Sequence, residues 1–132
     1  DVYKRQIKES GQLNFISKTD QLTENVFENI DVFFADGHTE SQMIPIINNN
    51  GHKIAFMADL LPSTGHIPLP YVMGYDTRPL QTLKEKNTFL NLAEKHDFSL
   101  FLEHDSKNEC CKLKSTDKGI RLASTHQLSE II

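Results

Sequence analysis

The sequence contains no apolar run near the length that crosses a bilayer, no stripe of basic residues, no internal repeat and no low-complexity segment. The first absence excludes a membrane-spanning helix as a partner of lipid. The second, with a formal net charge of −4 and scattered lysines, excludes a nucleic-acid surface. Only 2 cysteines are present, and they are neighbours, Cys110 and Cys111. On a strand they would point to opposite faces, so they read as free thiols and not as a disulfide framework. That favours a reducing, cytoplasmic setting. An initiator Met and a signal-peptide pattern are also lacking at Asp1-Val2-Tyr3-Lys4-Arg5-Gln6. The expectation is a chain incomplete at its N-terminus.

What is present is the composition of one globular domain: 132 residues, 38% hydrophobic and 24% charged, enough for one core. Residues 1–132 are therefore expected to form a single domain, or part of one. Residues 1–20 are polar and mixed, with 13–16 as a short strand; 23–28 read as a helical turn or a loop. From Ile30 the pattern sharpens into a buried strand over 30–34. Two more strands, 42–47 and 53–58, flank Asn48-Asn49-Asn50-Gly51, where Asn-Gly tolerates positive φ and predicts a hairpin. Residues 60–75 form a long loop containing Pro and Gly, and such loops are usually functional. Asp76 or Thr77 is expected to cap a helix with Pro79 in its first turn. Leu80, Leu83, Phe89, Leu90 and Ala93 give it an apolar stripe, flanked by Lys84, Glu85, Lys86, Glu94 and Lys95. Strands are expected again over 99–103, 112–114 and 119–122.

Three hydrophobic strands end in a side chain able to bind a metal. Val32-Phe33-Phe34-Ala35-Asp36-Gly37 leads to His38, Ile54-Ala55-Phe56-Met57-Ala58 to Asp59, and Leu100-Phe101-Leu102-Glu103 to His104. Imidazole and carboxylate are the ligands Zn²⁺ takes at a hydrolytic site, and rigid strand ends hold such ligands in place. Each residue alone has an ordinary explanation as a turn or a cap. Their recurrence on separate elements is what suggests a metal site. Of the other histidines, His52 is expected to be exposed beside the hairpin, His96 closes the helix, and His126 lies in a polar tail. His66, in the 60–75 loop, is a candidate for lining a pocket, with Tyr71 and Tyr75.

Gly37-His38-Thr39-Glu40-Ser41-Gln42, Ala58-Asp59-Leu60-Leu61-Pro62 and Phe101-Leu102-Glu103-His104-Asp105 resemble, in order and context, the later motifs of the metallo-β-lactamase-fold hydrolases. The resemblance covers about residues 30–125. It implies the C-terminal portion of an αββα sandwich, an α/β (α+β) fold with a mixed sheet and flanking helices. It also implies one or two metals, usually zinc or another divalent ion. By this resemblance His38 binds the first metal, Asp59 bridges both, and His104 binds the second. A hydroxide held there attacks an ester, lactone, lactam or phosphoester, a small-molecule substrate. Asp59 is thus the residue closest to catalysis.

The sequence departs from the family in two places. Glu40, Ser41 and Gln42 replace the Pro-Gly-His that ends the first motif in many members. More importantly, the signature His-x-His-x-Asp-His is absent: no two of the 6 histidines are separated by a single residue. The chain is therefore expected to carry roughly half of the metal site and to need the missing N-terminal half of the domain. Without that half, apolar strand faces near Val32, Ile54 and Leu100 are expected to meet water. Some lactonases of the fold place Tyr three residues after the bridging Asp; Pro62 stands there, which counts against lactone chemistry. Two other readings compete: a non-catalytic binding or scaffold domain that kept the fold and lost the site, and a di-iron oxidoreductase of the same fold.

Overall fold

A computed structural model describes residues 2–132. Its centre is one seven-stranded sheet in simple sequence order: β1 (Leu22–Phe27), β2 (Ile30–Ala35), β3 (Gln42–Asn49), β4 (His52–Phe56), β5 (Ser99–Phe101), β6 (Cys110–Lys114) and β7 (Arg121–His126). Every neighbouring pair is antiparallel except β4 and β5. Parallel strands cannot be joined by a tight turn. The β4–β5 connection accordingly takes residues 57–98 and contains the long helix α2 (Pro79–Lys95). A short helix α1 (Val2–Glu9) buries no residue.

The expected β3–β4 hairpin forms. Asn50 and Gly51 have φ of 51° and 90°, the pair of positive values such a turn requires, and the Asn48 side-chain oxygen accepts from Gly51 N at 2.9 Å. Pro45 is tolerated inside β3 because β4 pairs only with Ile46 through Asn49.

One face of the sheet packs against α2. Phe33, Ile44, Ile46, Ala55 and Leu100 meet Phe89, Leu90 and Ala93 there, with Phe33 and Phe89 edge to face at 5.0 Å. Both cysteines are buried free thiols, as adjacent strand residues on opposite faces; burial pushes the Cys111 thiol up to about 12, helped by Cys110 and Asp105.

Several expectations need correction. Residues 13–16 form no strand, and 23–27 lie in β1 and not in a turn or helix. The alternation there is too polar to read as a strand, since β1 is an edge strand with only part of its surface covered. Met57 and Ala58 lie outside β4, which ends at Phe56, and Ala58 opens a 3₁₀ turn with Asp59. His126 sits on β7 opposite Cys110, not in a tail. Val32, Ile54 and Leu100 are buried: Leu100 faces α2, and the 12–20 segment folds back beside β2, with Lys18 Nζ 5.5 Å above the Phe34 ring.

The helix departs most from its expected pattern. Leu80 is 75% exposed, while Glu85 and Lys86 are buried on the same face as Thr82 and Phe89. Neither Asp76 nor Thr77 caps α2; the cap position is Arg78, which makes no side-chain cap bond. Both corrections have one cause. These polar groups are spent on the strand ends and loop described next.

Candidate metal centre

His38 lies three residues past β2, on a turn fixed by α2. The buried Glu85 carboxylate accepts from Asp36 N and Gly37 N, both at 2.9 Å. A carboxylate accepting from two backbone N–H groups makes charge-assisted bonds, which justify burying it. Gly37 has to be glycine: a Cβ there would stand 2.4 Å from Thr82 N and 2.6 Å from Thr82 Cα. Gly37→Ala is therefore expected to push α2 away from the His38 turn and lower unfolding stability by about 3 kcal/mol, the scale of overpacking against immovable backbone. Urea denaturation measures it, and an unchanged midpoint and slope would reject the close approach.

The His38 ring is held by Asp76. Its Nδ1 is 2.9 Å from Asp76 Oδ1, and the Asp76 side chain is fully buried. A carboxylate accepts, so Nδ1 is the donor in this bond and Nε2 is the ring nitrogen turned toward Asp59. Thr77 Oγ1 donates to the carbonyls of Gly37 and His38, and Tyr75 places its ring edge-on to the imidazole at 5.8 Å.

Asp59 enters from the 3₁₀ turn Ala58–Leu60. Ala58 has φ of 43°, a left-handed value that costs a non-glycine residue on the order of 1–2 kcal/mol. Such strain collects at functional sites. It is sustained by Met57 N donating to Phe101 O at 3.0 Å, which ties the turn to the end of β5. Three residues past β5, His104 completes the group. Beside it, Asp105 locks its loop to the 60–75 loop: burial would raise the Asp105 pKa, but bonds from the Thr64 backbone and hydroxyl, Lys107 and Asn108 outweigh it and hold the carboxyl well below the usual range.

The three residues converge. Asp59 Oδ2 lies 3.5 Å from His38 Nε2, and Asp59 Oδ1 lies 3.3 Å from His104 Nε2. Nε2 of His38 thus faces a carboxylate oxygen of Asp59, an arrangement that a proton or a cation between them satisfies. Two donors sharing one zinc at about 2.0–2.2 Å in tetrahedral geometry lie about 3.3–3.6 Å apart, so both separations fit a metal on each side of the carboxylate. Yet each side has only one imidazole and one oxygen. Among the described residues no group of three or more His, Cys, Asp or Glu side chains could hold a metal ion.

Of the expected pocket residues, Tyr75 reaches the centre through the His38 ring. His66 does not; its Nδ1 bonds Ser63 Oγ at 2.8 Å. Tyr71 is exposed, and it is its backbone carbonyl that is held, together with those of His66 and Pro68, by the ammonium of Lys86. Burial lowers the Lys86 pKa to about 8, against the charge of Asp76. Asp76, Glu85 and Lys86 are the residues that the sequence reading missed. For the last two a signal existed, since each precedes a core residue, Phe89 and Leu90, by four. For Asp76, 38 positions from His38, there was none.

No family model matches the chain, and no curated protein does. Solved structures do match. A probable metal-dependent hydrolase from Staphylococcus aureus, 24% identical, superposes with a TM-score of 0.69 over 89% of this chain and 42% of its own. The hydrolase AbOPH of the beta-lactamase superfamily is 14% identical, with a TM-score of 0.74 over 93% of this chain and 42% of its own. AidC, a dizinc quorum-quenching lactonase solved with the product N-hexanoyl-L-homoserine, is 19% identical, with a TM-score of 0.70 over 90% and 40%. The fold is that of the metallo-β-lactamases, and the chain spans 40–42% of the length of these structures.

Proposed function

We propose that the chain is the C-terminal part of a metal-dependent hydrolase, with His38, Asp59 and His104 as metal ligands and Asp59 shared between two ions. The observation that carries this reading is the Asp59 carboxylate, one oxygen turned to each imidazole Nε2. Zinc suits the donor set, as would another divalent ion; bound there, it lowers the pKa of a water and polarises a carbonyl or phosphoryl oxygen. The chain's own residues orient and shield. Asp76 turns Nε2 of His38 toward Asp59, Glu85 fixes the strand end, and Tyr75 packs edge-on beside the imidazole. In this reading the remaining ligands come from a complementary segment, and the substrate is a small ester, lactone, lactam or phosphoester. The structural neighbours support it by being named as hydrolases, one of them a dizinc lactonase.

A complete protein carrying this chain, hereafter the complete enzyme, is expected to purify with one or two equivalents of zinc. It should hydrolyse at least one of p-nitrophenyl acetate, a homoserine lactone, a penicillin and bis-p-nitrophenyl phosphate. A chelator should abolish the turnover and zinc should restore it. A metal-free protein inert toward all four would instead favour the binding or scaffold reading. Iron with redox activity would favour the oxidoreductase.

A further inference from the structure

The segment 63–76 arcs from one histidine to the other. At its start, Thr64 is bonded to Asp105, the neighbour of His104; at its end, Tyr75 packs on His38 and Asp76 holds its ring. Between these anchors lies only a single 3₁₀ turn, Thr64–His66. Three carbonyls in this stretch, those of His66, Pro68 and Tyr71, turn toward α2 and meet one group. Lys86 Nζ donates to them at 2.9, 3.1 and 2.6 Å. An ammonium has three donors and no acceptor, so all of its protons are committed.

Lys86 is 1% exposed, and none of its three bonds is to a carboxylate. A buried cation so placed is costly, and a Met or Leu at this position of α2 would be cheaper for the core alone. What the lysine provides and an apolar side chain cannot is a common fastening for three separated carbonyls of an irregular segment. The buried side chain of Ile67 adds a second hold nearby. The outer side of the same stretch carries the exposed Leu69 and Tyr71.

We propose that Lys86 is a positioning residue for substrate: it holds residues 66–71 in place between the anchors at Asp105 and His38, so that this segment forms a wall beside the two histidines, and thereby controls binding of substrate and not the metals. This rests on the reading of the centre as hydrolytic. The test is Lys86→Met in the complete, zinc-loaded enzyme, with p-nitrophenyl acetate and p-nitrophenyl octanoate as probes. Amides at 67, 69 and 71–73 should exchange at least about tenfold faster. KM for both esters should rise at least about tenfold, with kcat and zinc content within about threefold of the parent. Lys86→Gln, which keeps two donors, should fall between the two and serves if the Met variant does not fold. Unchanged exchange, or faster exchange with unchanged KM, overturns the proposal. So does a loss of zinc and kcat with KM unaltered, which would assign Lys86 to the metal centre. A parent without zinc or turnover overturns the hydrolytic reading and the wall with it; the exchange rates then report the fastening alone.

Discussion

Asp59→Ala in the complete enzyme is expected to lower zinc content and hydrolytic rate together by well over 100-fold, with thermal unfolding little changed. The reason lies in what the carboxylate touches. Among the described residues it pairs with His38 Nε2 and His104 Nε2, at 3.5 and 3.3 Å. The turn that carries it closes through the backbone, by Leu60 N to Met57 O at 3.2 Å, and does not use the side chain. In the proposed centre, removing the carboxylate takes one donor from each metal position and leaves each cation one imidazole of this chain besides the ligands of the complementary segment. Asp76→Ala should have a smaller effect, about 10–100-fold in metal affinity or rate, because it acts by releasing the His38 ring and its tautomer. The exposed Asp117→Ala should match the parent. Metal analysis and kcat/KM for the three variants decide the order, and full activity of the Asp59 variant at normal zinc content would falsify its role.

The 132 residues expressed without a complementary segment should bind zinc weakly, self-associate and show negligible turnover. Two physical facts lead there. With one imidazole and one carboxylate oxygen per position, the chain falls short of the three or four protein ligands of a tight zinc site. The sheet face away from α2 also carries a depression of about 640 Å³ walled by Ile47, Ile54, Phe56, Phe101, Leu128 and Ile132, together with Asn29, Asn48 and Asn49. Ile47 is 43% exposed and Ile132 72%. Phe56 and Phe101 stack there at 5.8 Å. A largely apolar face of this kind marks an association surface, and in the proposed reading the complementary segment covers it. Supplying the complementary segment should restore both zinc binding and hydrolysis. A soluble monomer of these residues with two tightly held zinc ions and ready turnover would sink the idea, and sedimentation with zinc titration distinguishes the cases.

Much of the architecture was legible because hydrophobic alternation and turn chemistry are local. The apolar run at β2, the Asn-Gly hairpin and the helix after Pro79 all follow from residues within a few positions of one another. The half-exposed β1 was not legible, since an edge strand need not alternate. Nor was the buried face of α2: Glu85 and Lys86 look like solvent-facing charges until their partners, the Asp36 and Gly37 amides and the loop carbonyls, are brought to them by the β4–β5 crossover.

By itself the sequence showed that His38, Asp59 and His104, side chains of metal-binding type, each follow the end of an apolar run. It did so because imidazoles and carboxylates at the ends of apolar runs are visible in a single dimension. Only the tertiary structure decided that His38 and His104 face opposite oxygens of one carboxylate, and that Asp76, read as a helix cap, holds an imidazole instead. Those pairings join residues 21, 45 and 38 positions apart. Separations of that size are bridged by the packing of a helix on a sheet, and no local propensity encodes them.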